Sequence, residues 1–192
     1  MAKNYEFKPD KPQINWISKL HLTKLQRSAL LKWSLYALFL LILSLVQDVM
    51  LSQLRLFGAT TELVPCAIFL ICIMEGSEKG CVFALVSSGL YVFSGSAAGA
   101  YSMILITALA TFVCIFRQGY LRKGFAAAML CVIFAIAAYE MATFVIGFLL
   151  GRTIPQRFIG FAVTAGLNIL ITPALYPIAL SISSIGGETW KE

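Results

Sequence analysis

The sequence predicts an all-α integral membrane protein with six transmembrane helices and both termini on the cytoplasmic side, and three observations predict it. First, 59% of the 192 residues are apolar and only 12% are charged, against roughly 45–50% and 25% in an ordinary soluble domain. Second, apolar runs recur that are long enough, at about 1.5 Å per residue, to cross a ~30 Å hydrocarbon layer. Third, the basic residues crowd into one end of the chain. Disorder, collagen and coiled coil are excluded by the same arithmetic, and a length near that of one domain of ~150 residues leaves room for a single compact unit.

Residues 1–29 read as a basic cytoplasmic N-terminal arm. Up to position 32 the chain carries seven Lys or Arg (Lys3, Lys8, Lys11, Lys19, Lys24, Arg27, Lys32) against Glu6 and Asp10. The excess positive charge of the whole chain is thus largely an arm property and is no sign of nucleic acid. Each Lys or Arg near an anionic leaflet adds on the order of 1 kcal/mol of attraction, so anionic lipids are the expected partner of the arm, with a cytoplasmic protein as the alternative. The apolar side chains Ile14, Trp16, Ile17, Leu20, Leu22 and Leu25 spread round a helical projection and give no interfacial face. The arm is too long before the first apolar run to be a cleavable signal peptide.

Residues 30–185 read as the six-helix transmembrane domain, and 186–192 as a short cytoplasmic tail. Its apolar segments are 30–46, 57–74, 80–93, 97–116, 124–150 and 158–182. The connections are short: Gln47-Asp48, the turn from Gly76 to Gly80, the small-residue link from Ser94 to Gly99, the basic loop from Arg117 to Lys123, and Gly151 to Arg157 with Pro155. With the N-terminus inside, twelve Lys or Arg fall on the cytoplasmic side and three outside, as the positive-inside rule requires. Segments two and three have apolar cores of only about 12–14 residues, short of a full crossing. Two crossings are favoured, and a re-entrant hairpin is the alternative, since either returns the chain to the outer face before segment four.

Glu140 is the acidic residue deep inside a long segment. A charge at the centre of a span costs roughly 2.5–3.5 kcal/mol on insertion scales, so Glu140 is expected to face other helices and to find a donor. Thr143, Asn168, Thr164 and Thr172 are the candidates. Asn168, Pro173 and Pro177 disturb the last segment. Each proline removes a backbone donor, so a bent helix around Tyr176, packed against protein, is expected. Glu140, Asn168, Pro173, Tyr176 and Pro177 are therefore the candidate buried polar or partner-interface residues. The spacings Ala138-xxx-Ala142 and Gly147-xxx-Gly151 permit close helix approach. Asp48 and Glu62, with Arg55 between them, read as solvated charges at headgroup level.

Chemistry-bearing motifs are scarce. Cys66, Cys72, Cys81, Cys114 and Cys131 all lie in apolar runs and read as small packing residues. His21 is the lone histidine, and HExxH and CxxC do not occur, so no metal and no cofactor is expected. Paired acids and a nucleophile with a nearby base are not apparent in the sequence, so the chain is read as no enzyme.

The order of features resembles the MreD family of rod-shape-determining membrane proteins. The resemblance is carried by Val46-Gln47-Asp48-Val49, Leu56-Phe57-Gly58, Glu62-Leu63, the Gly76-xxx-Gly80 turn followed by Phe83, Gly89, Ser94-Gly95 and Gly99, and Asn168-xxxx-Pro173-xx-Tyr176-Pro177. It covers about residues 33–180. Tyr91 stands where many members have Asp, Thr61-Glu62 stands near their Pro-Asp, and the arm is longer than the family usually shows. The resemblance implies a non-enzymatic scaffold of the bacterial cell-elongation machinery in the cytoplasmic membrane. Its expected partners are MreC, through it the penicillin-binding transpeptidase and the RodA-type glycan polymerase that build the side wall, and indirectly MreB. The competing expectation is the substrate-binding S subunit of an energy-coupling-factor vitamin transporter, which needs a ligand pocket open to the outer face. In span one that class uses an Ala-xxx-Ala face, and here Ser34, Ala37 and Ser44 lack the spacing.

Overall fold

The computed structural model describes residues 24–51, 61–120 and 124–185, and among these every regular element is helical. Six helices run in order: α1 (Lys24–Val46), α2 (Leu63–Glu75), α3 (Ser77–Phe93), α4 (Tyr101–Tyr120), α5 (Phe125–Leu149) and α6 (Phe158–Ser183). A π-helical turn, Gln47–Leu51, extends α1, and a 3-10 turn, Pro155–Arg157, leads into α6. Most of the arm 1–29, Arg55, the Leu56-Phe57-Gly58 motif and the tail 186–192 lie outside the described residues.

Four stretches are long and apolar enough to cross a membrane: Gln26–Val49, Tyr101–Tyr120, Phe125–Leu149 and Pro155–Ser183. The other two helices are shorter. α2 has 13 residues and α3 has 17, about 20 and 26 Å at the α-helical rise, so neither matches the hydrocarbon thickness on its own.

α2 is the centre of the molecule. Every residue from Leu63 to Met74 is buried, and the helix touches all five others. Its sequence explains this position: it is apolar on all sides, and a helix without a polar face must be enclosed by protein or lipid. The others bury a stripe each. On α1 that stripe is Lys32, Tyr36, Phe39, Leu43 and Gln47, spaced by three and four, and on α6 it is Thr164, Asn168, Thr172, Leu175, Ala179 and Ile182. Their remaining surface exposes large aliphatic side chains such as Leu38, Leu41, Ile104 and Leu170, the face expected against acyl chains.

Two of the connections that differ from the sequence reading are glycine turns. The turn from Gly76 to Gly80 contracts to Gly76 alone, because Ser77 to Gly80 already form the first turn of α3. Gly76 adopts φ +91°, a conformation that residues with a Cβ rarely enter. Gly80 then lies so close to α2 that a Cβ there would stand 2.8 Å from the Cys72 carbonyl oxygen, so this is where two helices meet at a small residue. Gly147 and Gly151 instead close α5: the Arg152 N–H bonds Gly147 O at 2.9 Å and the Gly151 N–H bonds Phe148 O at 3.0 Å, with Gly151 at φ +66°. That is a Schellman ending, and it explains the spacing without a helix–helix contact.

Candidate functional site

A helix buried over its whole length leaves its terminal polar groups inside protein, and a buried end without partners is costly. α2 has a glutamate at each end, Glu62 and Glu75, and a polar cluster has formed around each.

At the Glu75 end, Lys32 Nζ lies 2.7 Å from Glu75 Oε1, with the two side chains 9% and 2% exposed. The Tyr36 hydroxyl donates to the same oxygen at 2.7 Å. The rings of Trp33, Tyr36 and Phe83 pack against one another at centroid distances of 5.5–5.9 Å. Lys32 had been counted with the basic flank of the arm, but it sits on the buried stripe of α1. The carboxylate at the end of α2 holds it there, since a buried charge is tolerated only when paired and hydrogen-bonded. Arg117 likewise belongs to the buried face of α4 and not to a loop.

At the other end Asn168 is the bridge. Its Oδ1 accepts the Glu62 N–H at 2.9 Å and its Nδ2 donates to Glu140 Oε1 at 3.2 Å, so one amide uses both its functions. The Tyr91 hydroxyl donates to Glu62 Oε2 at 3.2 Å and lies 3.4 Å from Gln47 Nε2. Gln47 Oε1 accepts the Val64 N–H at 3.1 Å. Two amide side chains thus cap the first turn of α2 by meeting N–H groups that have no partner within the helix. Thr172 donates to Asn168 O at 2.7 Å, and Cys66 Sγ lies 3.2 Å from Glu62 O. Tyr139 also faces Glu62, Glu140 and Ser102.

This places Glu62 differently from the sequence reading, which left it among solvated headgroup charges. The cause is the late start of α2 at Leu63, which draws Glu62 into the bundle as the cap residue. Asp48 is exposed as expected and accepts from Ser96 at 2.8 Å.

Of the five candidate residues, the structure brings Glu140 and Asn168 together, both buried. The other three stand apart. α6 is helical through Pro173 and Pro177, and both residues are exposed, where the sequence reading expected a region packed on protein. Tyr176 is half-buried, edge-on to Phe125 at 4.8 Å. Sequence reasoning passed over Lys32, Tyr36 and Glu75 at one end, and Gln47, Tyr91, Ser102 and Tyr139 at the other. The available signal was the spacing of Lys32 and Gln47 on the same helical stripe as Tyr36, Phe39 and Leu43.

No protein-family model, curated protein or solved structure matches the chain. Beyond the polar clusters, the described surface carries apolar grooves, one of about 390 Å³ between α4 and α5 lined by Phe112, Phe116, Leu130 and Phe134. α1 and α3 touch only lightly, and between them runs an apolar groove of about 400 Å³, walled by Ala37, Leu41 and Leu45 on one side and by Phe83, Val86 and Leu90 on the other. It continues past Trp33 and Val82 to Glu78 and Lys79. Among the described residues, no three His, Cys, Asp or Glu side chains converge as metal ligands.

Proposed function

We propose that the chain is a multi-pass protein of the bacterial cytoplasmic membrane, with six spans and both termini inside, that serves as a non-enzymatic scaffold of the cell-elongation machinery in the manner of the MreD family. The groove between α1 and α3 carries the reading. It is open along the lipid-facing side, apolar, and floored by small or short side chains at Ala37, Ser44 and Ser87. A seat of that kind suits one transmembrane helix, because small residues let backbones approach and hydroxyls supply interhelical hydrogen bonds. MreC, with its single span, is the proposed occupant. The transpeptidase and the RodA-type polymerase would be recruited through it, and MreB would lie beneath. A vitamin-binding subunit needs polar groups converging in a pocket, and this groove is mainly aliphatic and aromatic carbon with a few hydroxyls along it.

The test is site-specific photo-cross-linking in cells. Probes at Leu41, Val86 and Leu90 should capture one bitopic protein, while probes at the equally lipid-exposed Ile104 and Leu170 should not. Depletion of the chain should round the cells. Equal capture at all five positions, or a vitamin co-purifying with the chain, would overturn the reading.

A further inference from the structure

The cluster around Glu62 and Glu140 has a chemistry that scaffolding does not require. We propose that these two carboxylates, with the hydroxyls of Tyr139, Ser102 and Thr143, form a binding site for a hard divalent cation such as Ca²⁺, reached from the end of α2, where Glu62 keeps a part of its surface exposed. The inference is independent of the partner assigned to the α1–α3 groove.

Four observations lead to it. Each carboxylate has one oxygen engaged, Glu62 Oε2 by Tyr91 and Glu140 Oε1 by Asn168. Tyr139, Ser102 and Thr143 are only 2, 0 and 3% exposed, yet their hydroxyl oxygens have no hydrogen-bond partner among the described residues. An unsatisfied buried polar group costs about 1–3 kcal/mol, so buried hydroxyls without a geometric partner point to a missing one. Tyr139 faces both carboxylates and Ser102, and Thr143 follows Glu140 by three residues on the same face of α5. Finally, no described Lys or Arg forms an ion pair with Glu62 or Glu140, whereas the carboxylate at the far end of α2 has Lys32.

The ligand class follows from the donors. All are oxygens, which suits calcium or magnesium and not zinc, a metal that favours nitrogen and sulfur. The nearest thiol, Cys66, is directed at Glu62 O. Two carboxylates neutralise a divalent ion and leave no net charge inside the bundle. If both bind through two oxygens, two hydroxyls complete the minimum of about six ligands that calcium takes. Asn168 and Gln47 fix the backbone of the first turn of α2, and Tyr91 holds Glu62, so the ligands are positioned before the ion arrives.

The full chain, purified in detergent and stripped with EDTA, is titrated with CaCl₂ and MgCl₂ by calorimetry and followed in parallel by thermal unfolding, with NaCl and choline chloride as controls. One equivalent of a divalent ion should bind, and at 100-fold excess over Kd the Tm should rise by about 5–10 °C. Glu140→Gln should abolish binding. Should that variant not fold, the volume-conserving Tyr139→Phe and Thr143→Val should each raise Kd at least about tenfold, with the unliganded Tm held or increased. The proposal is overturned if neither ion binds saturably, if NaCl gives the same shift, or if the variants bind as the unaltered chain does. Stabilisation by acid alone, with no response to calcium, would show instead that the two carboxyls share a proton.

Discussion

Removing the charge of Lys32 separates a buried ion pair from a decorative one. In Lys32→Met the side chain keeps about its length, but Glu75, its side chain 2% exposed, retains only the Tyr36 hydroxyl. Exposed ion pairs contribute about 0–1 kcal/mol, while breaking a buried one by deleting a single partner costs about 3–5 kcal/mol. Exposures of 9% and 2% and a contact of 2.7 Å put this pair in the second class, so a loss of about 3–5 kcal/mol is expected. The double variant Lys32→Met/Glu75→Gln removes both charges and leaves an amide to accept from Tyr36. It should recover to within about 1 kcal/mol of the unaltered chain, a coupling energy of at least ~2 kcal/mol. Tyr36→Phe alone should cost about 1.5–3 kcal/mol as a hydrogen bond to a charged group. Reversible unfolding by denaturant in mixed micelles, followed by tryptophan fluorescence, measures all three. A single-variant loss below ~1 kcal/mol with no recovery in the double variant would mean that water reaches Glu75, and that the carboxylate does not hold Lys32 inside the bundle.

Other perturbations probe the remaining contacts in the same unfolding assay. Gly80→Ala places a Cβ 2.8 Å from the Cys72 carbonyl oxygen and 3.0 Å from its Cα. Both are backbone atoms, so the α2–α3 hairpin must open, at about 1–3 kcal/mol. Asn168→Leu strands the Glu62 N–H and one Glu140 oxygen and should cost about 2–5 kcal/mol. Pro173→Ala and Pro177→Ala, on the exposed face of an unbroken helix, should change stability by less than about 1 kcal/mol and restore one backbone donor each. A loss above ~2 kcal/mol at either proline would mean that this region packs against protein, as the sequence suggested.

The helical segments were legible because long apolar runs have one use in a chain of this composition, and each of the six carries a helix in the structure. Glu140 was legible as an acid needing a donor for a related reason: a polar side chain in mid-run has to be paired, and Asn168 was one of four candidates, the one the structure selects. Lys32, Glu62, Glu75 and Arg117 were not legible. Each stands where an apolar run meets a polar stretch, and hydropathy cannot distinguish a charge that faces headgroups from one that caps a helix inside the bundle. The late start of α2 decides the case of Glu62, and nothing in the composition of segment 57–74 marks Leu63 as the first helical residue. The outward prolines show the converse limit. Sequence gives the chemical consequence of a proline, but the side of the helix it occupies follows from the stripe set by Thr164, Asn168 and Thr172.

The length of α2 ties the two clusters together. A helix of 13 residues spans about 20 Å, roughly two-thirds of the ~30 Å hydrocarbon layer, so its terminal charges cannot both reach the aqueous faces while all its neighbours surround it. The carboxylates of Glu62 and Glu75 are therefore obliged to find partners within the protein. At Glu75 the chain supplies them from one helix, an ammonium and a phenol four residues apart on α1. At Glu62 it supplies hydrogen-bonding groups from α1, α3 and α6, and it adds a second carboxylate in place of a cation. The two ends face the same electrostatic demand, and only one meets it with its own positive charge. Two acids side by side without a described cation are what a divalent ion would balance at that end of α2.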